Sequence, residues 1–317
     1  MHGRREGTQI APREREPTYD VIGLGCCCWD YLGIVPHYPA LDDKVAISEL
    51  AMQGGGQAGT GVAAVARLGG KTAIVGRVGE DEFGQHTRQA FLDEGVDDRW
   101  LMTVPGATSQ WAFIAVDEST GKRTIFYIHG TKGKFAPEEL ARDEILDCRC
   151  LLIDGHHNEA ALAVANWAWE AGVPLVLDLE RPQAEDAQLL ALASHPVIPE
   201  HFAIEFTGER RTANAAQAIL DLGPEAVVVT MGANGAIACT SEGVIEQPAF
   251  DVGEIVDTTG AGDVFHGAFA YGIALGFPLE RNLAFASAVA ALKCRKLGGR
   301  AGMPGMEEVL ALVDGRQ

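Results

Sequence analysis

The second half of this chain alternates regularly between short apolar runs and longer amphipathic segments. Strands are predicted at residues 151–154, 175–177 and 226–230, and helices at 159–171, 184–193 and 213–222. Strands that alternate with helices form right-handed β-α-β units, in which consecutive strands are parallel and helices cover both faces of the sheet. The pattern therefore predicts an α/β fold of three layers, α/β/α, with a mostly parallel central sheet.

The first half contains two stretches that depart from this alternation. Further elements of the parallel sheet are predicted as strands at 19–25 and 72–78 and helices at 58–68 and 83–94. Within each of the ranges 32–53 and 109–128, the sequence instead predicts short, half-buried strands without a crossover helix. We predict that these two stretches pair in a small antiparallel sheet and form a lid over the site.

The chain has neither a linker nor an internal repeat, so residues 19–317 are predicted to form one domain. Residues 1–18 are rich in Arg, Glu and Pro and have no apolar centre, which indicates a disordered tail rather than a signal peptide. A membrane span needs about 18 consecutive apolar residues, and the sequence contains no such run.

Charge and cysteine content exclude further classes of function. The net charge is −19, from 25 Lys and Arg against 44 Asp and Glu, and such a surface repels nucleic acid. The seven cysteines include the run 26–28 but lack the paired C-x-x-C spacing of zinc sites. They are predicted to be free, buried thiols. We expect a cytoplasmic protein that binds neither nucleic acid nor membranes.

One glycine motif near the N-terminus resembles a dinucleotide fingerprint and fails its structural requirement. Gly23 and Gly25 follow the first predicted strand, but Cys28 takes the place of the third glycine. The fingerprint must open a helix, and Pro36 and Pro39 lie where that helix would run. The motif does not indicate an oxidoreductase.

The segment that carries chemistry is D-T-T-G-A-G-D at 257–263, which precedes a long helix of small and apolar residues. Glycines at this point allow successive N–H groups to converge, and the positive end of the helix dipole adds to the attraction for an anion. Asp263 in the first helical turn would be ionised and could accept a proton from a hydroxyl group. The residues alone leave a second interpretation open, in which Asp263 is an ordinary N-cap.

This segment resembles the second signature of the ribokinase, or PfkB, family of sugar kinases. The upstream stretches 54–69 and 75–84 resemble the first signature of the same family, and the similarity extends over residues 19–313. The resemblance implies a ribokinase-like fold, an alcohol-group phosphotransferase activity, a small-molecule sugar as substrate, and ATP and Mg²⁺ as cofactors. Exposed strand edges of the predicted lid further suggest a homodimer that pairs through the lid.

The resemblance also implies roles for individual residues around the transferred phosphoryl group. Asp263 would be the general base, and the amides of Gly260, Ala261 and Gly262 would form the anion hole. The residues implied to contact the nucleotide are Thr230, Gly232, Gly235 and Thr259.

Sugar and metal sites follow from the same resemblance. The residues implied to bind the sugar are Asp30, Gly55, Gly56, Thr60 and, on the lid, Arg123. Thr60 stands where ribose-specific members carry Asn. Glu200 would contact Mg²⁺ through water, and Asp257 matches a region that often holds a monovalent cation such as K⁺.

Two details point to a branch of the family and to its ketose substrates. Residues 256–268 and 290–302 are similar to sulfofructose kinase, and residues 121–125 and 178–182 to ketohexokinase.

A charged sugar tail would require a cation, for which the candidates are Lys44, Arg123, His156 and His157.

Two other functions stay open. A nucleoside kinase of the same fold would stack a base on lid aromatics, for which Trp111, Phe113 and Phe126 are available. A non-catalytic sugar or nucleotide sensor would bind its ligand without turning over ATP.

Overall fold

The computed structural model describes residues 15–315, in which strands and helices alternate over most of the length. The strands are β1 (Tyr19–Leu24), β2 (Cys28–Val35), β3 (Glu49–Gly55), β4 (Thr72–Gly79), β5 (Asp97–Val104), β6 (Trp111–Asp117), β7 (Arg123–Ile128), β8 (Cys148–Asp154), β9 (Leu175–Asp178), β10 (His195–Pro199), β11 (Val227–Thr230), β12 (Ala236–Thr240) and β13 (Gly243–Gln247). The helices are α1 (Gln57–Arg67), α2 (Glu82–Asp93), α3 (Arg142–Ile145), α4 (Asn158–Ala171), α5 (Asp186–Leu192), α6 (Glu200–Thr207), α7 (Thr212–Leu220), α8 (Ala261–Ala274), α9 (Leu279–Lys293) and α10 (Met306–Asp314).

The predicted central sheet is confirmed and has nine strands, in the order β13-β12-β11-β10-β9-β8-β1-β4-β5. Every pairing from β11 to β5 is parallel, while β12 and β13 are antiparallel additions at one edge. The chain builds outward from β1 in one direction through β4 and β5, and in the other through β8. The sheet therefore has a topological switch point between β1 and β8, where the carboxyl ends of α/β strands commonly bind ligands.

Alternating side chains of the strands supply two apolar layers. Ile22 and Leu24 of β1 pack on one face with residues of α4, α5, α6 and α7, whereas Val21 packs on the other face with α1, α8, α9 and α10. On this second face α1 and α8 approach closely, because a Cβ on Gly267 would lie 2.0 Å from the carbonyl oxygen of Gly61. Because neither glycine has a side chain, the backbones of α1 and α8 lie directly against each other.

The predicted lid is also confirmed, as a four-stranded sheet in the order β3-β2-β6-β7. Its two outer pairings are antiparallel, as predicted, but its central pair, β2 and β6, is parallel. The lid begins earlier than residue 32, since β2 starts at Cys28, four residues after β1 ends. The inner face of the lid packs through Leu32, Ile114 and Val116 against Leu297 of the main body.

Some elements were not predicted from the sequence. β10 carries Pro196 and Pro199, which argue against an interior strand, yet it pairs with β9 and β11 on both sides. Of the predicted tail, residues 1–14 lie outside the described residues, and Thr18 donates from its hydroxyl to Asp147 at 2.6 Å. No helix within residues 15–315 is long and apolar enough to cross a membrane.

Candidate active site

Acidic side chains gather at the carboxyl edge of the central sheet, next to the start of α8. Asp154 and Asp178 are the last residues of β8 and β9, and Glu200 directly follows β10. All three strands run parallel, so their carboxyl ends lie at the same edge. The sequence-based site lacked Asp154 and Asp178, although Asp154 ends a predicted strand, Asp178 directly follows another, and the edge rule would have found them.

The start of α8 has the geometry of an anion site. Gly260 is its N-cap and adopts a left-handed conformation, with φ of 72°. Added bulk is excluded there, since a Cβ would lie 2.9 Å from Cα of Gly299, whereas no atom lies within 4 Å of a Cβ on Gly262. The amide of Ala261 donates to the carbonyl oxygen of Thr258 at 3.2 Å, so an anion would have to share that amide.

Asp263 lies in the first turn of α8 and is half-buried. Burial, together with the neighbouring Asp178, raises the pKa of its carboxyl group to about 7, while His266 and Arg123 oppose the shift. A pKa near neutrality is what a general base needs, because the group can both lose and regain a proton at physiological pH. This raised pKa contrasts with the ionised carboxylate expected from the sequence.

His266 anchors this turn and was not predicted from the sequence. Its imidazole spans two carbonyl oxygens, with Nδ1 2.6 Å from Gly262 and Nε2 2.7 Å from Val197 in β10. Nδ1 also lies 3.3 Å from Oδ2 of Asp178. The ring thus ties the anion site to the edge of the sheet.

Asp30 in β2 and Gly55 at the end of β3 are in contact within the lid. A Cβ on Gly55 would lie 1.9 Å from Oδ2 of Asp30, so glycine is required for the carboxylate to occupy its position. The Cys28 thiol donates to Oδ1 at 3.2 Å. Burial raises the pKa of Asp30 to about 6, and the charge of Asp263 contributes to the shift, which places the two carboxylates in the same site.

The remaining predicted sugar contacts lie at two ends of the site. Gly56 is the N-cap of α1, and the amide of Thr60 in the first turn of that helix donates to its carbonyl oxygen at 2.8 Å. Arg123 lies at the catalytic end, because Nη1 is 3.5 Å from the Thr258 hydroxyl oxygen and its charge lowers the pKa of Asp263. The Thr258 hydroxyl also donates to the carbonyl oxygen of Gly121, so this turn of the lid contacts the anion-site segment.

The predicted nucleotide contacts have different surroundings. Thr230 ends β11, and Gly232 in the next turn has φ of 58° and no atom within 4 Å of a Cβ, which leaves space for a ligand. Gly235 serves packing instead, since its Cβ would lie 2.1 Å from the carbonyl oxygen of Gln247. The Thr259 hydroxyl is buried without a hydrogen-bond partner beside the anion site.

The predicted metal residues are both engaged by other groups of the chain. The Glu200 carboxylate accepts a hydrogen bond from the Thr212 hydroxyl. Asp257 is fully buried, and its carboxylate accepts from the amides of Thr259 at 2.8 Å and Gly298 at 2.7 Å. Among the described residues no three His, Cys, Asp or Glu side chains are arranged to hold a metal ion. Mg²⁺ would thus depend on nucleotide phosphates and water, with Glu200 at the edge of the site.

Of the candidate cations for a charged sugar tail, His156 lies closest to the described carboxylates. Burial would lower its pKa, but Asp154, 3.2 Å from its Nδ1, outweighs that and raises the pKa to about 12. Burial instead lowers the pKa of His157 to about 4, and its Nδ1 accepts from the amide of Phe135. Lys44 is exposed on the connection between β2 and β3.

The lid aromatics lie on the face opposite Asp30. Residues alternate between faces along a strand, and Trp111 and Phe113 are in register with Trp29 and Tyr31 rather than with Asp30. Phe126 pairs with Phe113 across β6 and β7, and Trp111 lies 5.7 Å from the ring of Phe83 in α2. These side chains form the outer face of the lid and do not face the site.

The cysteines and Arg300 complete the surroundings of Asp30. All seven cysteines lie within residues 15–315 and are buried thiols that form no disulfide, as predicted. The backbone amide of Cys26 donates to Asp154 at 2.7 Å. Arg300, which the sequence analysis missed, is buried and donates from Nη2 to the carbonyl oxygen of Gly55 at 3.2 Å. Because Arg300 follows Gly299, this contact links the anion site to the glycines beside Asp30.

Comparisons with known proteins agree with this arrangement. A family model described as pfkB family carbohydrate kinase matches residues 24–306. Ribokinase of Lactococcus lactis is 26% identical over 292 residues, which cover 91% of this chain and 95% of the relative. The 5-dehydro-2-deoxygluconokinase of Geobacillus thermodenitrificans is 26% identical over 325 residues, covering 95% and 94%. The structure of Arabidopsis thaliana ribokinase complexed with ribose and ATP aligns with a TM-score of 0.81 at 26% identity, covering 94% and 99%.

Proposed function

The chain belongs to the pfkB family of carbohydrate kinases, and from this premise we propose that it transfers the γ-phosphate of ATP to a hydroxyl group of a ketose or ketose derivative. The observation that carries the proposal is the position of Asp263, which lies in the first turn of α8, follows the left-handed Gly260 and interacts electrostatically with Asp30. A base, an anion site and a polyol-binding carboxylate therefore converge.

In the proposed reaction each residue has one task. Asp30 accepts hydrogen bonds from two sugar hydroxyls and orients the sugar. Asp263 takes the proton of the attacking hydroxyl, and the amides around Gly262 stabilise the negative charge of the transferred group. The turn at Gly232 contacts the nucleotide. When bound, Mg²⁺ would neutralise charge on the phosphates, with Glu200 contributing through water.

Ketose specificity is the finer part of the proposal. It is supported by the similarity of residues 256–268 and 290–302 to sulfofructose kinase and of residues 121–125 and 178–182 to ketohexokinase. The alternative nucleoside kinase would need another stacking platform, because Trp111 and Phe113 belong to the outer face of the lid. A sensor that does not turn over ATP would not need a base with a pKa near neutrality.

A substrate panel tests the proposal directly. ADP release would be measured with fructose, tagatose, ribose, 6-phosphorylated and 6-sulfonated ketoses and adenosine, each at saturating ATP and Mg²⁺. We expect the highest kcat/KM with a ketose or one of its derivatives. A preference for adenosine would establish the nucleoside kinase, and no turnover with any acceptor would support the sensor.

Arg123→Met distinguishes between two roles for this lid residue: contact with the transferred phosphoryl group, or contact with an anionic sugar tail. Because Arg123 lies beside Thr258 and Asp263, we expect the variant to lower kcat by about tenfold to a hundredfold, the loss of one charge-assisted hydrogen bond to the transferred phosphoryl group. The KM for a neutral sugar should change little. Steady-state kinetics on the preferred sugar measures both constants. A raised sugar KM at unchanged kcat would instead assign Arg123 to an anionic sugar tail.

A homodimer through the lid is proposed from the outer face of that sheet. Large apolar side chains are exposed there, with Met52 at 59%, Phe126 at 57% and Ile128 at 54% of full exposure. Burying them against a second copy would remove an unfavourable contact with water. Light scattering at micromolar concentration should give twice the chain mass, and Phe126→Glu should give a monomer. Leu275→Glu, at an exposed position after α8, serves as control, and a monomeric unmodified chain would refute the dimer.

A further inference from the structure

Lys293 is a buried cation that the proposed reaction does not use. It is the last residue of α9 and has no exposed surface. Lysine is almost never fully buried unless its ammonium group is paired, because removing the charge from water is costly. Its Nζ donates to the backbone carbonyl oxygen of Asp257 at 2.8 Å. The position of this ammonium group therefore concerns the segment that precedes the anion site.

Every oxygen of Asp257 accepts a hydrogen bond from this chain. Its two carboxylate oxygens accept from the amides of Thr259 and Gly298, and its carbonyl oxygen accepts from Lys293. In return, the amide of Asp257 donates to the carbonyl oxygen of Cys294 at 3.2 Å. The segment is thus bound on both sides to the end of α9 and the loop after it.

These contacts continue into the anion site itself. Gly260 packs directly on Gly299, one residue after the amide that holds Asp257. A change in the position of Asp257 would therefore move Gly260 and the amides that follow it. A preorganised anion site depends on such fixed donors, because donors that must reorient during the reaction lose much of their effect.

Charge balance at Asp257 requires a nearby cation. Burying a carboxylate is costly without a compensating positive charge, and the buried ammonium group of Lys293 binds the backbone carbonyl oxygen of the same residue. A bound monovalent cation was predicted at this residue from sequence. The residues do not fit that ion, because the ammonium group already binds the carbonyl oxygen and would repel a second cation.

We propose that Lys293 is a positioning residue for the anion site, and that its ammonium group supplies from within the chain the positive charge that a bound monovalent cation would otherwise provide. The proposal rests on the proposed function only in naming the anion site as the group that is positioned. Protein stability in different salts tests the cation part without any substrate.

The first measurement uses the unmodified chain. Its thermal midpoint and its kcat should be equal in KCl, NaCl and choline chloride at one ionic strength, because no site gains from K⁺. A K⁺-specific rise in the midpoint would overturn the proposal, even if the kinase assay found no acceptor. Failure of every acceptor with equal midpoints would count against the proposed function alone.

Two variants then test the role of the ammonium group. Lys293→Ala removes the charge and leaves space, so we expect kcat to fall by about tenfold to a hundredfold with little change in the KM for sugar. Adding K⁺ or NH₄⁺ should restore part of kcat and raise the thermal midpoint in this variant only. Lys293→Met removes the charge and fills the space, so it should lose the same activity without salt rescue.

Arg281→Met provides the matched control, since it deletes an exposed cation from the same helix, α9, and should behave like the unmodified chain. Wild-type kcat in Lys293→Met would refute the proposal, as would a loss in Lys293→Ala that no cation restores. If Lys293→Ala does not fold, its refolding yield in KCl against choline chloride gives the same comparison. Equal yields in the two salts would contradict the proposal.

Discussion

Replacing Asp263 by Asn should lower kcat by about 10² to 10⁴ while the binding of ATP stays nearly unchanged. Asn keeps the shape of the side chain and its hydrogen-bonding capacity but cannot take the proton of the attacking hydroxyl. Single-turnover kinetics and a nucleotide-binding titration measure the two quantities. A variant that retains more than about a tenth of the wild-type turnover would show that Asp263 is not the base.

The pH dependence provides a control on the same assignment. Burial raises the pKa of Asp263 to about 7, and the base must be deprotonated to act. Activity should therefore be full well above pH 7 and fall as the pH drops through 7. Asp178→Asn removes the acidic side chain that contributes to the raised pKa of Asp263, so that pKa should fall and the acid limb should move to lower pH. An unmoved limb would mean that another group controls the profile.

Stability should change in the opposite sense from activity. A carboxyl group whose pKa is raised by folding binds its proton more tightly in the folded state, so its ionised form opposes folding above pH 7. That penalty shrinks progressively as the pH falls below 7 and is gone below the ordinary carboxyl pKa of 3.8. Asp263→Asn removes the penalty, and its thermal midpoint at pH 8 should equal or exceed that of the unmodified chain. A lower midpoint would show that loss of activity in this variant includes a folding defect.

Asp30→Ala should lower kcat/KM for the sugar by about 10² to 10⁴ and leave the KM for ATP unchanged. The magnitude corresponds to two charge-assisted hydrogen bonds of about 1.5–3 kcal/mol each. Steady-state kinetics with each substrate varied in turn separates the two effects. An equal loss for ATP would mean that the substitution disturbs the whole site and that Asp30 has no specific role at the sugar.

Gly55→Ala tests the same carboxylate without removing it. The added Cβ would lie 1.9 Å from Oδ2 of Asp30, so the carboxylate must move while its charge remains. We expect a smaller loss in the same direction, again confined to the sugar. Gly305→Ala is the matched control, because φ there is −84° and no atom lies within 4 Å of a Cβ. Wild-type sugar kinetics in Gly55→Ala would contradict the required position of Asp30.

Local patterns in the sequence were sufficient for most of the parallel sheet and for the start of α8. Strand–helix alternation predicted the three layers, because the spacing of apolar residues within each segment indicates both its secondary structure and its buried face. Glycines at 260 and 262 before an apolar helix predicted the anion site. A local pattern was enough, because the left-handed conformation of Gly260 is one that glycine adopts without steric strain. The same holds for the lid, whose strands lie apart in the chain but share half-buried alternation.

The tertiary structure decided which face each lid residue presents. Trp111 and Asp30 were both candidate ligand contacts from the sequence, yet the register of β2 on β6 puts them on opposite faces. A shift of one residue would exchange the two faces, and no local pattern specifies that register. The sequence alone therefore left these aromatic side chains as candidates for stacking on a nucleobase. The pairing of the strands places them on the other face of the lid.

The burial of Lys293 likewise could not be predicted from local sequence patterns. In the sequence it is an ordinary lysine in the last turn of a helix, where cations are favoured by the helix dipole. Its burial depends on Asp257, which lies 36 residues earlier and is brought to it by the packing of α8 on α9. The sequence by itself determined where the anion site begins. Only the folded chain decided what packs against it, because the hydrogen bond from Lys293 to Asp257 joins two positions that no local pattern connects.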